Sequence, residues 1–430
     1  MTATLGRIDY AALAAALALK LTLAWFGGPH LQEDSGLYIW FADAILDPGR
    51  SWLLNEEWLD HTYHFLSLRT AGYPLLLAGA KAVAGESYGW PVIFFQTVLT
   101  FGWMALSYRI AAAVTPSAPW RLAYLVFLVA SQSLLFDLVV GTDSVYASLF
   151  LYCCLVPIGA ALGLWRLPLR LCVALGAAWG YSIWIRDAGA YFIYAPLLPL
   201  LAYGAARLYG GWRRFAPAAA FIIAALAVHG AYLGWSDLRF GRPVMSTVGQ
   251  HNWLRPIFDM AQAGYARPFD DDHLISKIVR DNAIPYAWPE HLKILDILHH
   301  QYNQDPIEIV GTVKSAYVHY VFSNPVGYAR IVLKQLMLDR LAFNLTNIPY
   351  MLNEFFQYGP FIGHRVEPGV RELSRALRHD GDLAAGGLLL LIAAGRACSL
   401  AAFAWFAVWV PWRVVGAAAA GRRSEEHTSE

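Results

Sequence analysis

Apolar residues along this chain cluster in long runs broken by short polar turns, and about eight of these runs are long enough to cross a bilayer. The first covers residues 8–26, where Lys20 is the only charge. The next cover 91–111, 121–139, 144–164, 171–185, 188–206 and 215–235, and a last one covers 387–409. Two shorter runs differ. Residues 36–46 (GLYIWFADAIL) put Leu37, Trp40, Phe41, Ala44 and Ile45 on one helical face, the pattern of an amphipathic helix lying in the interface. Residues 73–84 are apolar but too short for an ordinary span, which predicts a second interfacial or re-entrant helix.

Charge then orients these runs. Arg7 precedes the first, Arg109 and Arg121 flank one turn, Arg166 and Arg170 another, and Arg207, Arg213 and Arg214 a third. Basic residues mark cytoplasmic turns, so the amino terminus is expected inside and residues 28–89 outside. Counting 73–84 as a full span would invert the later turns and break this agreement.

Residues 236–383 are more polar, with helical stretches at 307–322 and 326–341, and are expected outside, partly lying on the membrane. The reading is therefore an all-α polytopic membrane protein. A transmembrane core spans 1–235, an outer helical segment 236–383 and a carboxy-terminal helix 384–422. Residues 423–430 (RSEEHTSE) match the translation of a common sequencing adapter, so the natural chain is expected to depart from this sequence near Arg422.

Composition agrees with this class. Apolar residues make up 57% of the chain, against roughly 45–50% in soluble domains. Charged residues are 15%, against about 25%. Tryptophans such as Trp25, Trp90, Trp120, Trp165, Trp235 and Trp412 sit near run ends, as an interfacial belt places them. The first run is longer than a signal-peptide core and lacks a small-x-small cleavage site, so it is read as a retained anchor. A net charge of +1 predicts no nucleic-acid partner. Cys153, Cys154, Cys172 and Cys398 lie in apolar runs and read as small packing residues, not a disulfide frame or metal site.

Candidate chemistry collects on the predicted outer face: Glu33, Asp34, His61, His64, Arg69, Asp137, Asp143, Arg186 and Asp187. A carboxylate at headgroup depth stays ionised and can take a proton from a hydroxyl. An arginine fork suits a phosphate. Each residue also has a plainer reading. Asp34 and Asp143 can stabilise helix starts, and Arg186 can snorkel and pair with Asp187. His61 and His64, three apart, lack an identifiable third metal ligand. Asp270-Asp271-Asp272-His273 reads as a solvated turn, and the Asn344-Leu-Thr346 sequon as chance. A divalent cation at Glu33 and Asp34 is compatible with their chemistry but not required by their spacing, so the metal stays open.

Glu33-Asp34-x-x-x-Tyr38 resembles the acidic motif that follows the first span in GT-C glycosyltransferases. These include the protein O-mannosyltransferase and aminoarabinose transferase relatives. Arg69-Thr-Ala-Gly-Tyr73-Pro74 resembles their R-x-x-G-Y-P stretch, and Arg186-Asp187-x-Gly189 their R-P-x-G step, with Asp187 in place of proline. Asp143 falls where such members carry a later acid, and Ser323-Asn324-Pro325-x-x-Tyr328 resembles a recurring N/H-P-x-x-Y element. The resemblance implies a sugar donor on a polyprenyl phosphate and a lipid, glycan or protein hydroxyl as acceptor. It implies Asp34 as the general base of an inverting transfer, with Glu33 able to share that role. Arg69 and Arg186 would hold the donor phosphate, and Tyr38, Tyr73 and Asp143 would shape the site. The competing class is a transporter or lipid-handling protein with an outer acidic site, which would place acids within spans and show inverted repeats.

Overall fold

The computed structural model describes residues 5–31, 35–47, 70–115, 117–129, 136–205, 211–243, 245–246, 249–265, 269–286 and 290–334. These residues are helical, joined by turns, with no strand beyond an isolated bridge of His30 with Val139. They fall into two compact units.

The first unit is built from α1 (Arg7–Gly27), α2 (Ser35–Leu46), α3 (Gly72–Ala84), α4 (Gly89–Val114), α5 (Ala118–Val129), α6 (Thr142–Ala161), α7 (Leu169–Ile185), α8 (Tyr194–Ala205) and the start of α9 (Ala216–Phe240). Local chemistry sets the ends of these helices. The Asp9 carboxylate accepts the Gly6 N–H at 2.8 Å at the start of α1. Gly28 stops the same helix at φ 70°, a conformation that side chains disfavour. Pro168 precedes α7, where it cannot continue a helix from the preceding turn.

Among the described residues, four helices are long and apolar enough to cross a membrane: Arg7–Gly27, Gly89–Val114, Thr142–Ala161 and Arg213–Leu238. The expected run at 171–185 is the helix Leu169–Ile185, whose 17 residues are short for a span. Within the expected spans at 121–139 and 188–206 the described residues give the shorter apolar helices Ala118–Val129 and Tyr194–Ala205, and residues 130–135 lie outside the described residues. Tyr194–Ala205 is shortened because a 3-10 turn, Asp187–Phe192, replaces its expected start. The expected span at 387–409 lies outside the described residues. Leu19, Trp25, Phe95, Val98, Val126, Leu198, Ile223 and Leu226 are exposed on these helices. Such an apolar coat suits lipid rather than water.

Two opposite ends of the unit are marked by contacts. At one end, Arg121 at the start of α5 reaches both Asp9 oxygens at 3.1 Å, and the Tyr108 hydroxyl near the end of α4 donates to Asp9 at 2.5 Å. Arg109 lies over the Trp165 ring, which follows α6, with 5.4 Å to its centroid. Tyr203 near the end of α8 meets the Leu167 N–H, and Gly204 packs on the backbone of Arg214 before α9. At the other end, Trp25 of α1 meets Trp90 of α4 with ring centroids 5.7 Å apart. Pro29 packs on Gly89 there, and the end of α7 meets the start of α6. Hence the chain leaves α1 and enters α4 at the same end.

The second unit contains α10 (Gly249–Gln262), α11 (Leu274–Asp281), α12 (Leu292–His300), α13 (Pro306–Ser323) and α14 (Pro325–Lys334), wrapped around Leu254, Ile257, Ile275, Ile278, Leu298, Ile309 and Val313. Its helix starts are written into the sequence. Asp305 accepts the Ile307 and Glu308 N–H groups at 2.8 Å while Glu308 accepts the Asp305 N–H, a reciprocal cap with Pro306 behind it. The Asn324-Pro325-x-x-Tyr328 element is a start of the same kind. Asn324 accepts the Gly327 N–H at 2.9 Å and donates to the Tyr265 carbonyl at 2.7 Å, and the Tyr328 and Tyr317 hydroxyls meet at 2.5 Å.

Candidate active site

Four separate stretches converge where α2, α3, α6 and α7 meet. Tyr38 of α2 and Tyr73 of α3 pack edge to face, with ring centroids 5.4 Å apart. Burial foremost, then the neighbouring Tyr38, pushes the Tyr73 phenol upward and keeps it protonated. Its hydroxyl donates to Gln96 Oε1 at 3.0 Å, and the nearby Gly141 backbone acts against the upward shift. Gly141 in turn precedes Thr142 and Asp143, the first residues of α6.

Asp143 pairs with Arg186, which directly follows α7. Both side chains are about half exposed, at 46% and 47%, so the pair is open to solvent and to a ligand. Burial lowers the Arg186 guanidinium, but the Asp143 carboxylate beside it, helped by Tyr38 and Tyr146, outweighs this and raises it. Arg186 is therefore a fixed cation. Its backbone is extended, its N–H bonds the Ser182 carbonyl at 2.9 Å, and its own carbonyl accepts the Gly189 N–H at 3.0 Å. Asp187, standing where the resembled family has proline, opens the 3-10 turn that follows.

The Gly-Tyr-Pro stretch and the arginine corner touch. A Cβ on Gly72 would stand 2.5 Å from the Trp184 carbonyl carbon and 2.7 Å from the Ile185 nitrogen. The Tyr181 hydroxyl donates to the Gly72 carbonyl at 2.8 Å. Only glycine admits this approach, which sets the start of α3 against the residues that lead into Arg186.

Of the residues singled out from sequence, Tyr38, Tyr73, Asp143 and Arg186 are brought together. Glu33, Asp34, Arg69, His61 and His64 lie outside the described residues. Residues on both sides of the acidic pair, His30 and Ser35, are nevertheless anchored near the site. His30 exchanges backbone bonds with Leu138 and Val140 at 2.8 and 2.9 Å, and the Ser35 hydroxyl donates to the Val140 carbonyl at 2.6 Å. Among the described residues, no group of three His, Cys, Asp or Glu side chains could hold a metal ion.

Asp137 departs from its expected place among the outer acids. It is buried, pairing with Lys20 of α1 at 2.7 Å, and the two side chains are 2% and 1% exposed. Thr100 and Ser144 donate to its other oxygen, each at 2.6 Å. Sequence reasoning missed this pair and also missed Gln96 and Tyr146. A lone lysine in an apolar run signals that a partner must exist, but nothing local says which acid supplies it. No family model matches the chain, and comparison with curated proteins and with solved structures found no match.

Proposed function

We propose that the chain is a membrane glycosyltransferase of the GT-C type. It moves a sugar from a polyprenyl-phosphate donor to a hydroxyl of a lipid, glycan or protein. The observation that carries this reading is the meeting of Tyr38, Tyr73, Asp143 and Arg186, drawn from four stretches far apart in sequence, beside the anchored flanks of Glu33-Asp34.

The acceptor oxygen attacks the anomeric carbon as the bond from that carbon to the phosphate oxygen breaks. Asp34 takes the acceptor proton, and the bonding pair leaves with the polyprenyl phosphate. Attack opposite the leaving group inverts the anomeric centre. Arg186, joined by Arg69, holds the departing phosphate, which needs no strong general acid. Positioned proton transfer of this kind contributes on the order of 10²–10⁴-fold.

Alternation of helix ends supports seven crossings before residue 235, the shorter helices included, and the run at 387–409 brings the count to eight. Arg7, Arg109, Arg121, Arg166, Arg170, Arg213 and Arg214 belong to the end opposite the site or to its turns. By the positive-inside tendency that end is cytoplasmic. The site then faces outward, periplasmic in a bacterial inner membrane.

The test is sugar transfer by the reconstituted protein, offered a panel of polyprenyl-phosphate sugars and membrane lipid or glycan acceptors. Transfer abolished by Asp34→Asn and retained by Glu33→Gln supports the reading. Loss in both, with wild-type transfer that a chelator abolishes and added divalent cation restores, assigns the acid pair to a metal. The second reading, a transporter, draws on the buried Lys20–Asp137 pair, since charges inside a helical bundle often line an ion path. Solute or lipid movement across vesicles without consumption of any donor would favour it.

A further inference from the structure

The five residues Asp137–Gly141 form a strip that nearly every element of the candidate site touches. Gln96 of α4 donates to the Asp137 and Val139 carbonyls, both at 2.9 Å, while its own oxygen receives the Tyr73 hydroxyl. The Leu138 carbonyl and the Val140 N–H hold His30. The Val140 carbonyl holds Ser35, and Tyr73 is tied to the strip through Gln96. The strip then runs directly into Thr142 and Asp143, and so into the pair with Arg186. Three elements that carry site residues are therefore referenced to one short segment of backbone.

That segment is tied down at its first residue. Asp137 is held by Lys20 from α1, by Thr100 from α4 and by Ser144 from α6. A charged pair out of water is costly to assemble and gains little net stability over an apolar pair. Its directional bonds instead select one register of three helices.

We propose that Lys20 and Asp137 are positioning residues for the candidate site, acting through the 137–141 strip to set Tyr73, Asp143 and the flanks of the acidic motif. This rests on the glycosyltransferase reading for its kinetic readout, but not for its structural one. The pair touches no substrate. It governs how well the reacting groups are aligned, and an error of about 1 Å at such a distance costs on the order of 10²-fold in rate.

Removing one charge alone leaves the other buried and risks unfolding, so the informative variant removes both. Lys20→Met with Asp137→Asn keeps the oxygen that Thr100 and Ser144 bond. Two quantities are measured on the reconstituted full chain: amide hydrogen exchange of the peptide covering residues 137–141, and kcat and KM for transfer. The expected result is a folded protein whose strip amides exchange at least tenfold faster and whose kcat falls at least tenfold with donor KM within twofold. Lys20→Arg, which keeps the charge, should retain most of the wild-type kcat. Unchanged exchange overturns the proposal whatever the rate does. Faster exchange with an unchanged kcat also overturns it, leaving the pair a packing feature. If the wild type transfers no sugar from any donor, the glycosyltransferase reading fails, and exchange alone decides whether the pair sets the strip.

Discussion

Gly72 lies so close to the peptide joining Trp184 and Ile185 that any β-carbon there would overlap it, at 2.5 Å from the Trp184 carbonyl carbon. Two stretches separated by more than a hundred residues thus meet through bare backbone. Gly72→Ala should push α3 away from α7, at a cost of about 1–3 kcal/mol. A fall in the thermal midpoint in detergent, with loss of transfer exceeding the loss of folded protein, is the expected outcome. An alanine variant as stable and active as wild type would show that the contact is slack.

The Arg186–Asp143 pair is half exposed, so it contributes little to stability, roughly 0–1 kcal/mol. Its value lies in holding a cation at the site. Arg186→Ala should lower kcat/KM about 10²-fold while leaving the unfolding midpoint nearly unchanged. Asp143→Asn should cost less, chiefly through a higher donor KM, because the guanidinium remains but is no longer held. Steady-state kinetics against donor concentration separates the two. Equal losses in both variants would give Asp143 a role beyond orientation.

Gln96 satisfies two buried carbonyls and one buried hydroxyl at once. Gln96→Leu strands all three, and each unsatisfied group costs about 1–3 kcal/mol. Tyr73→Phe strands fewer partners and should destabilise less. Thermal unfolding of both variants checks the order, and a reversal would mean that water replaces the Gln96 amide.

In the second unit, the Nδ1 atom of His273 accepts the Ile275 N–H at the start of α11, which only the neutral ring can do. Burial foremost, then the nearby His319, lowers its pKa below the ordinary 6.5, with Asp271 acting in the opposite sense. A depressed folded-state value means that the unfolded chain binds the proton first. Stability from this group is therefore complete above about pH 6.5 and falls as the pH drops toward the folded value. The thermal midpoint of the full chain should decline as the pH falls below about 6.5, and His273→Asn, which caps without titrating, should flatten that decline. An identical pH profile for the variant would remove His273 from the account.

Opposite ends of the first unit should label differently in cells. With the native cysteines replaced, a cysteine at Asp187 should react with a membrane-impermeant maleimide, and one at Arg213 should react only after permeabilisation. The reverse pattern would invert the topology and move the Arg186–Asp143 pair to the cytoplasmic side.

The helices themselves were readable along the chain. Hydropathy is a local property, and a bilayer admits only segments whose backbone groups are bonded within the segment. Runs such as 8–26 and 91–111 therefore announced α1 and α4, and the helical stretch at 307–322 announced α13. The motif resemblance also nominated Tyr38, Tyr73, Asp143 and Arg186. What sequence could not supply was partnership. Whether Arg186 pairs with adjacent Asp187 or distant Asp143, whether Asp137 is solvated or buried on Lys20, and why residue 72 is glycine all depend on which helix faces lie together. Those faces are selected by packing among segments far apart in the chain, and an ion pair such as Asp9 with Arg121, 112 residues apart, leaves no periodic trace in either neighbourhood. Local chemistry wrote the elements, and only their assembly chose the contacts that make a site.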